Sequence, residues 1–167
     1  MEIYSPREDS EFFAEFLRGY LNSVKKDIKF LDVGTGSGIL TEVALEFLDK
    51  KNVFACDINK EAIKILKAKG INAFYSDLFS NVIGKFDLIV FNAPYLPMDS
   101  REPVSSQVAT TGGRKGDEIS VRFLKEAKKY LKENGKILIL ISSLTPMEKI
   151  GKLNPKVVAK KKMFLEE

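Results

Sequence analysis

The sequence predicts an α/β protein built on a doubly wound, mostly parallel sheet. Two observations carry that prediction. Short, nearly continuous apolar runs alternate with amphipathic helical stretches, the pattern of strands buried on both faces and joined by crossover helices. The chemically distinctive residues also follow the ends of those runs: a glycine-rich turn after the first, Asp57 after the second, Asp77 after the third and Asn92 after the fourth. Right-handed crossovers bring such ends to one edge of a parallel sheet, where ligands bind.

Each element has its own signal. Ser5-Pro6 opens a helix over Arg7 to Leu21, in which Phe12, Phe13, Phe16, Leu17 and Leu21 fall roughly on one face. Ile28 to Val33 reads as the first strand. Ile39 to Leu48 reads as a helix with Leu40, Val43, Ala44 and Phe47 at inward spacing, and Asn52 to Cys56 as a second strand ending at Asp57. Lys60 to Lys69 is a helix closed by Gly70. Ile71 to Tyr75 and Phe86 to Phe91 are the third and fourth strands, and Pro97 to Gly116 is a polar, glycine-containing loop. Asp117 to Lys132 shows Ile119, Phe123, Ala127, Tyr130 and Leu131 at helical spacing and meets a stop at Asn134-Gly135; Lys136 to Ile141 is the fifth strand. Beyond it, Thr145 to Leu153 reads as a short helix and Lys156 to Leu165 as one strand. The sheet is therefore expected to end in an abbreviated C-terminal strand pair or an open edge.

Composition bounds the function. At 167 residues, 44% hydrophobic and 30% charged, the chain is expected to be one domain (1–167) with a full core. It has no run of transmembrane length, and Met1-Glu2-Ile3-Tyr4-Ser5-Pro6 lacks the basic and apolar regions of a signal peptide. A cytoplasmic location without membrane attachment is the expectation. With one cysteine, Cys56, and no histidine, an intrachain disulfide and histidine general-base chemistry are excluded, and no metal site is expected. The net charge of +4 resides largely in Lys149, Lys152, Lys156, Lys160, Lys161 and Lys162. That stretch reads as a solvated face, with a footprint for RNA or an acidic partner as the alternative.

Leu31-Asp32-Val33-Gly34-Thr35-Gly36-Ser37-Gly38 is an Asp-x-Gly-x-Gly-x-Gly turn. Its glycines let the backbone turn sharply and approach a ligand closely. A nicotinamide dinucleotide site would place a third glycine where Ile39 stands, and the chain carries no Gly-Lys-Ser/Thr phosphate loop. The acid ahead of the glycines, Asp32, suits a ligand with a positive amino group rather than a pyrophosphate. S-adenosylmethionine has that amine together with a ribose bearing two free hydroxyls. Asp57 is placed to accept from those hydroxyls, Asp77 to accept from an adenine amine, and Leu78 to pack on the ring.

Asn92-Ala93-Pro94-Tyr95 closes the fourth run. An Asn side chain there can grip a planar NH2 group while the Tyr95 ring stacks on its π face. Such nitrogens, amides or exocyclic base amines, have delocalised lone pairs and react only when held and oriented.

With these features the chain resembles the class I S-adenosylmethionine-dependent methyltransferases. More narrowly it resembles the HemK-type glutamine methyltransferases of the short archaeal and eukaryotic branch. The family's Asn-Pro-Pro-Tyr stands here as Asn92-Ala93-Pro94-Tyr95, its Tyr-x-Pro-x-Glu-Asp-Ser/Thr as Tyr4-Ser5-Pro6-Arg7-Glu8-Asp9-Ser10, and its Gly-Gly-x-x-Gly as Gly112-Gly113-Arg114-Lys115-Gly116. The resemblance implies cofactor contacts at Ser10, Asp32, Asp57, Asp77 and Leu78, at the turn glycines Gly34, Gly36 and Gly38, and at Asn92. It implies that Asn92 and the Ala93 carbonyl bind the target amide, beside Pro94 and Tyr95. The implied reaction is direct in-line methyl transfer to the glutamine of the Gly-Gly-Gln motif in a class 1 translation release factor. A small zinc-binding activator subunit is the implied partner; the third strand, Ile71 to Tyr75, reads as an apolar sheet edge that either docks such a partner or is shielded by its own helix.

The chain departs from the family at Ala93, which replaces the first proline. The carbonyl survives, and Pro94 still biases Ala93 toward an extended conformation. The lost rigidity is worth about 0.4–1 kcal/mol through the unfolded state, so activity is expected to persist. The alternative acceptor is an amino group of adenine or guanine in RNA or DNA, which would call for a recognition region or basic funnel to hold the flipped base. A third reading, motivated by Ala93 and the short C-terminus, is a cofactor-binding module without catalysis.

Overall fold

The computed structural model describes residues 8–94, 113, 116–143 and 145–162. In chain order its regular elements are α1 (Glu8–Leu21), β1 (Phe30–Val33), α2 (Ile39–Phe47), β2 (Val53–Asp57), α3 (Lys60–Ala68), β3 (Asn72–Tyr75), β4 (Phe86–Asn92), α4 (Glu118–Ala127), β5 (Leu131–Leu140) and α5 (Glu148–Gly151). The strands form one sheet in the order β3-β2-β1-β4-β5, and every neighbouring pair runs parallel. The expected doubly wound sheet is present.

Strand alternation divides the core into two faces. Phe30, Leu88 and Val90 point to one side and meet Phe13, Leu17 and Leu21 of α1 with Leu40, Val43 and Ala44 of α2. Leu31, Val33, Ile89 and Phe91 point to the other and meet Phe79, Phe123 and Ala127. Aromatic rings tie that second face together: Phe91 lies 4.5 Å from Phe123, and Phe79 lies 5.5 Å from Phe123 and 4.8 Å from Tyr130. Helix α3 covers β2 and β3 through Ile63 and Leu66. Its start is capped by the Asn59 side chain, which accepts the Glu61 N–H at 3.0 Å. Gly70, at φ +71°, follows its end as the sequence anticipates.

The junction of α4 and β5 differs from expectation. The helix ends at Ala127 instead of Lys132, and a 3-10 turn over Lys128–Tyr130 leads into a strand that begins at Leu131 rather than Lys136. Tyr130 explains the early stop: its ring stacks on Phe79 and its hydroxyl donates to the Phe79 carbonyl at 3.3 Å, so the last turn tightens toward the core. Asn134-Gly135 is not a helix stop. It lies within β5, where the pairing shifts from Phe86↔Leu131 to Leu88↔Lys136 and Asn134 takes φ +64°. Lys132 anchors this bulge at 2.6 Å from Asp87 Oδ2, which also accepts the Lys29 N–H at 2.7 Å. Burial pushes the Asp87 carboxyl up, but the Lys132 ammonium and the Lys29 N–H outweigh it and hold the group below the usual carboxylate range.

Gly135 closes the bulge against backbone. A Cβ there would lie 2.9 Å from both the Lys132 and Phe86 carbonyl oxygens, neither of which can rotate away. Gly135→Ala is expected to destabilise the fold by about 1–3 kcal/mol, read as a lowered midpoint of urea unfolding. An unchanged midpoint would show that β5 does not need this bulge.

The C-terminal expectation also changes. The helix foreseen over Thr145 to Leu153 contracts to Glu148–Gly151, and no strand follows β5 among the described residues. Residues 156–162 are exposed and pair with no strand; the other residues of the expected Lys156 to Leu165 strand lie outside the described set. A strand needs a ladder partner, and among the described residues β5 pairs only with β4. Among the described residues no helix is long and apolar enough to cross a membrane.

Candidate active site

The strand register assembles the site. Val33 pairs with Cys56 and with Phe91, and Asp57 pairs with Tyr75. The residues that follow β1, β2, β3 and β4 therefore leave the sheet side by side at one edge. The turn after β1 is pinned there by backbone: the Thr35 N–H donates to the Cys56 carbonyl at 3.1 Å, and the Gly36 N–H donates to Asp57 Oδ2 at 2.8 Å. Gly34, Gly36 and Gly38 all have positive φ, at +64°, +52° and +89°. Gly34 is also sterically required, because a Cβ would come within 2.9 Å of the Phe91 ring.

Asp32 is 1% exposed. Its Oδ2 accepts from the hydroxyls of Thr35 at 2.8 Å and Thr41 at 2.7 Å, whereas its buried Oδ1 has no hydrogen-bond partner among the described residues. Burial raises the carboxyl from its ordinary 3.8 to about 7, against the lowering by the Thr41 and Thr35 hydroxyls and with a further push from the Asp57 charge. Leaving one oxygen of a buried carboxylate unpaired is costly unless a donor arrives.

Asp57 works differently. Besides Gly36, it accepts the Asn59 N–H at 2.7 Å through Oδ1, so both oxygens already order the loop ends. Asp77 is half-exposed and faces Arg122, whose Nη1 lies 3.0 and 3.2 Å from its two oxygens. Leu78 adopts φ +47°, stabilised by the Ser76 hydroxyl donating to its carbonyl at 2.8 Å. Burial, with the charges of Asp32 and Asp57, pushes the Cys56 thiol up and keeps it inert.

Asn92 ends β4. Its Nδ2 donates to Ser10 Oγ, 82 positions earlier in the chain, at 3.0 Å, and its buried Oδ1 has no hydrogen-bond partner among the described residues. Ala93 is buried and Pro94 half-buried. Tyr95, the Tyr4 to Arg7 segment and most of the Pro97 to Gly116 loop lie outside the described residues, with Gly113 and Gly116 described within that loop. The edge thus carries a buried carboxylate oxygen and a buried amide oxygen, both without partners among the described residues, beside a turn that is open at Gly36.

The chain matches the model of the methyltransferase small domain over residues 9–164. A Methanocaldococcus jannaschii protein, provisionally named a protein N5-glutamine methyltransferase, is 40% identical over 163 residues, covering 92% of this chain and 80% of that protein. The chain belongs to the HemK-type class I methyltransferases. A release factor glutamine methyltransferase of Buchnera aphidicola is 34% identical over 148 residues, covering 80% of this methyltransferase but 53% of the relative. This methyltransferase spans about half the length of the bacterial release factor enzymes it matches. The fold itself is shared with a ribosomal protein L11 methylase of Lactobacillus delbrueckii, with a TM-score of 0.61, 24% identity, and coverage of 90% of this chain and 67% of that one.

Several residues of this methyltransferase's site escape the sequence reading. Thr35 and Thr41 hold Asp32, and Phe91 floors the turn at Gly34. Thr41 had a signal, since it is a polar residue beside Leu40 and two positions before Val43 in the inward stripe of α2. Arg122, opposite Asp77, had none, because its helix follows 45 positions later.

Proposed function

We propose that this methyltransferase transfers a methyl group from S-adenosylmethionine to the side-chain amide nitrogen of glutamine, in the Gly-Gly-Gln motif of a class 1 translation release factor, in the cytoplasm. The observation that carries the reading is the unpartnered, buried Oδ1 of Asn92 beside Ala93-Pro94. The relatives named for glutamine methylation support the choice of acceptor.

The site's donor and acceptor set suits this cofactor. The orphaned Asp32 Oδ1 matches an ammonium group, and Gly36, whose missing Cβ would meet nothing within 4 Å, leaves that point of the turn open to close approach. Asp57 would add ribose hydroxyls to the N–H groups it already accepts, and Asp77 with Leu78 would border the adenine, Arg122 sharing the Asp77 carboxylate. When bound, the cofactor supplies an electrophilic methyl. The protein's own residues do the rest. Asn92 Oδ1 accepts one amide N–H and the Ala93 carbonyl accepts the other, which turns the nitrogen lone pair toward the methyl. Tyr95 would stack on the amide plane. The N–C bond would form as the methyl's C–S bond breaks, leaving the cofactor as a neutral thioether; the nitrogen would take up the positive charge and then lose an N–H proton to solvent, so no strong base is needed beforehand. Rate comes from orientation and from an environment prepared for the changing charge.

Labelled S-adenosylmethionine incubated with a release factor, with its Gln→Ala version, and with bulk tRNA and rRNA decides the acceptor. Label on intact release factor alone is expected. Label on RNA alone would replace the glutamine reading with a base-amine one. The zinc-binding activator would pair with the edge strand β3, beside the exposed Tyr75 ring; a lone chain that is soluble and fully active would remove that partner.

A further inference from the structure

An asparagine amide is nearly symmetric in shape and opposite in chemistry at its two ends, one accepting hydrogen bonds and the other donating. An acceptor substrate of either class presents N–H groups. Asn92 therefore serves only with Oδ1 facing the substrate; flipped, it would set a donor against a donor. Something must hold the amide in one sense.

The contact that does so comes from the first turn of α1. Ser10 is 2% exposed, and its Oγ takes the Asn92 Nδ2 hydrogen at 3.0 Å, leaving Oδ1 buried and unpartnered. A serine hydroxyl can donate as well as accept, so it needs a bias of its own. Asp9 provides it: its Oδ1 accepts the Ser10 N–H at 2.8 Å and lies 3.5 Å from Ser10 Oγ. At that long distance the Asp9 oxygen favours, without capturing, the hydroxyl proton, and so biases the Ser10 lone pairs toward Asn92 Nδ2.

We infer that Ser10 is a positioning residue for methyl transfer: polarised by Asp9, its hydroxyl fixes the sense of the Asn92 amide so that Oδ1 faces the acceptor N–H. This rests on the proposed role of Asn92 and goes beyond it. The Glu8-Asp9-Ser10 segment and the Asn92-Ala93-Pro94 segment become one hydrogen-bonded device, set by the docking of α1 against the end of β4.

Ser10→Ala is expected to lower kcat about 10- to 100-fold through loss of orientation. KM for the acceptor should rise only about as far as the flipped sense is populated, a few-fold, because the Ala93 carbonyl still accepts one N–H; cofactor Kd, measured by calorimetry, reports separately on the cofactor contact that the resemblance implies at Ser10. Ser10→Thr keeps the hydroxyl and should restore most of kcat. A purely structural role would instead lower the melting temperature and move all constants together. In the wild-type protein, an Asn92 side-chain amide proton should resonate downfield, identified by its loss in Asn92→Ala, a measurement independent of whether any Ser10 variant folds. Wild-type kcat in folded Ser10→Ala, a Thr variant as slow as Ala, or an Asn92 amide proton shift typical of free solvent-exposed amides would each overturn the inference. If the wild type labels RNA instead of release factor, the glutamine reading falls separately. The same variants are then measured on the RNA amine, and Ser10 stands or falls there.

Discussion

Asn92→Ala is expected to cripple methyl transfer while leaving cofactor affinity intact. The expected loss in kcat is about 10²–10³-fold, the usual cost of removing one preorganised polar group from a reacting centre. The reason is the geometry at the end of β4. Asn92 Oδ1 is buried and has no partner among the described residues, so in the proposed role its accepting capacity is available to the acceptor nitrogen. Alanine keeps the backbone, including the Ala93 carbonyl, and removes only that acceptor. Label transfer and calorimetric cofactor binding, measured on one preparation, separate the outcomes. Loss of both activities would place Asn92 in the cofactor site rather than at the acceptor.

Cofactor affinity should fall steeply as pH drops below 7, and Asp32→Asn should remove that dependence. With its folded pKa raised to about 7, Asp32 is largely protonated at pH 6 in the free protein. An ammonium group can pair only with the carboxylate, so binding must release a proton. Affinity then weakens by up to about tenfold per pH unit below 7 and levels off above it. Calorimetry in buffers of different ionisation enthalpy should count close to one proton released at pH 6. Asp32→Asn should weaken binding by about 10²-fold at pH 8, since a charge-assisted hydrogen bond is replaced by a neutral one.

The same shift makes a stability prediction of opposite sense. Asp32 has a folded pKa above its unfolded value, so its contribution is fully present below about pH 4 and is lost as pH rises through about 7. Free Asp32→Asn should therefore outlast the wild type against urea at pH 8. If affinity is flat between pH 5 and 8, Asp32 does not face a cation.

Much of this was legible before any coordinates. Each of the strands β1 to β4 begins and ends within two residues of its expected bounds, because a strand buried on both faces must be apolar at nearly every position. The β1 turn and Asn92 stood out for a related reason, since glycine clusters and strand-final amides seldom serve packing alone. The end of α4 and the start of β5 were not legible. The helical spacing of Tyr130 and Leu131 continues past Ala127, and only the Phe79 ring, some fifty positions away, turns Tyr130 off the helix. The C-terminal strand fails for a similar reason, since a β-prone segment is a strand only where a neighbour offers its ladder.

By itself, then, the sequence determined the parallel sheet, the sheet edge at which the candidate site gathers and the residue types found there. Those depend on local periodicity and on the side chains' own properties. The tertiary structure alone decided that one Asp32 oxygen is tied down by Thr35 and Thr41 while the other stays unpaired. It alone decided that Asp77 meets Arg122 and that Ser10 grips Asn92 across 82 positions. Hydrogen-bond partners and desolvation are properties of what folding brings together, and neither is written in the spacing of residues along a chain.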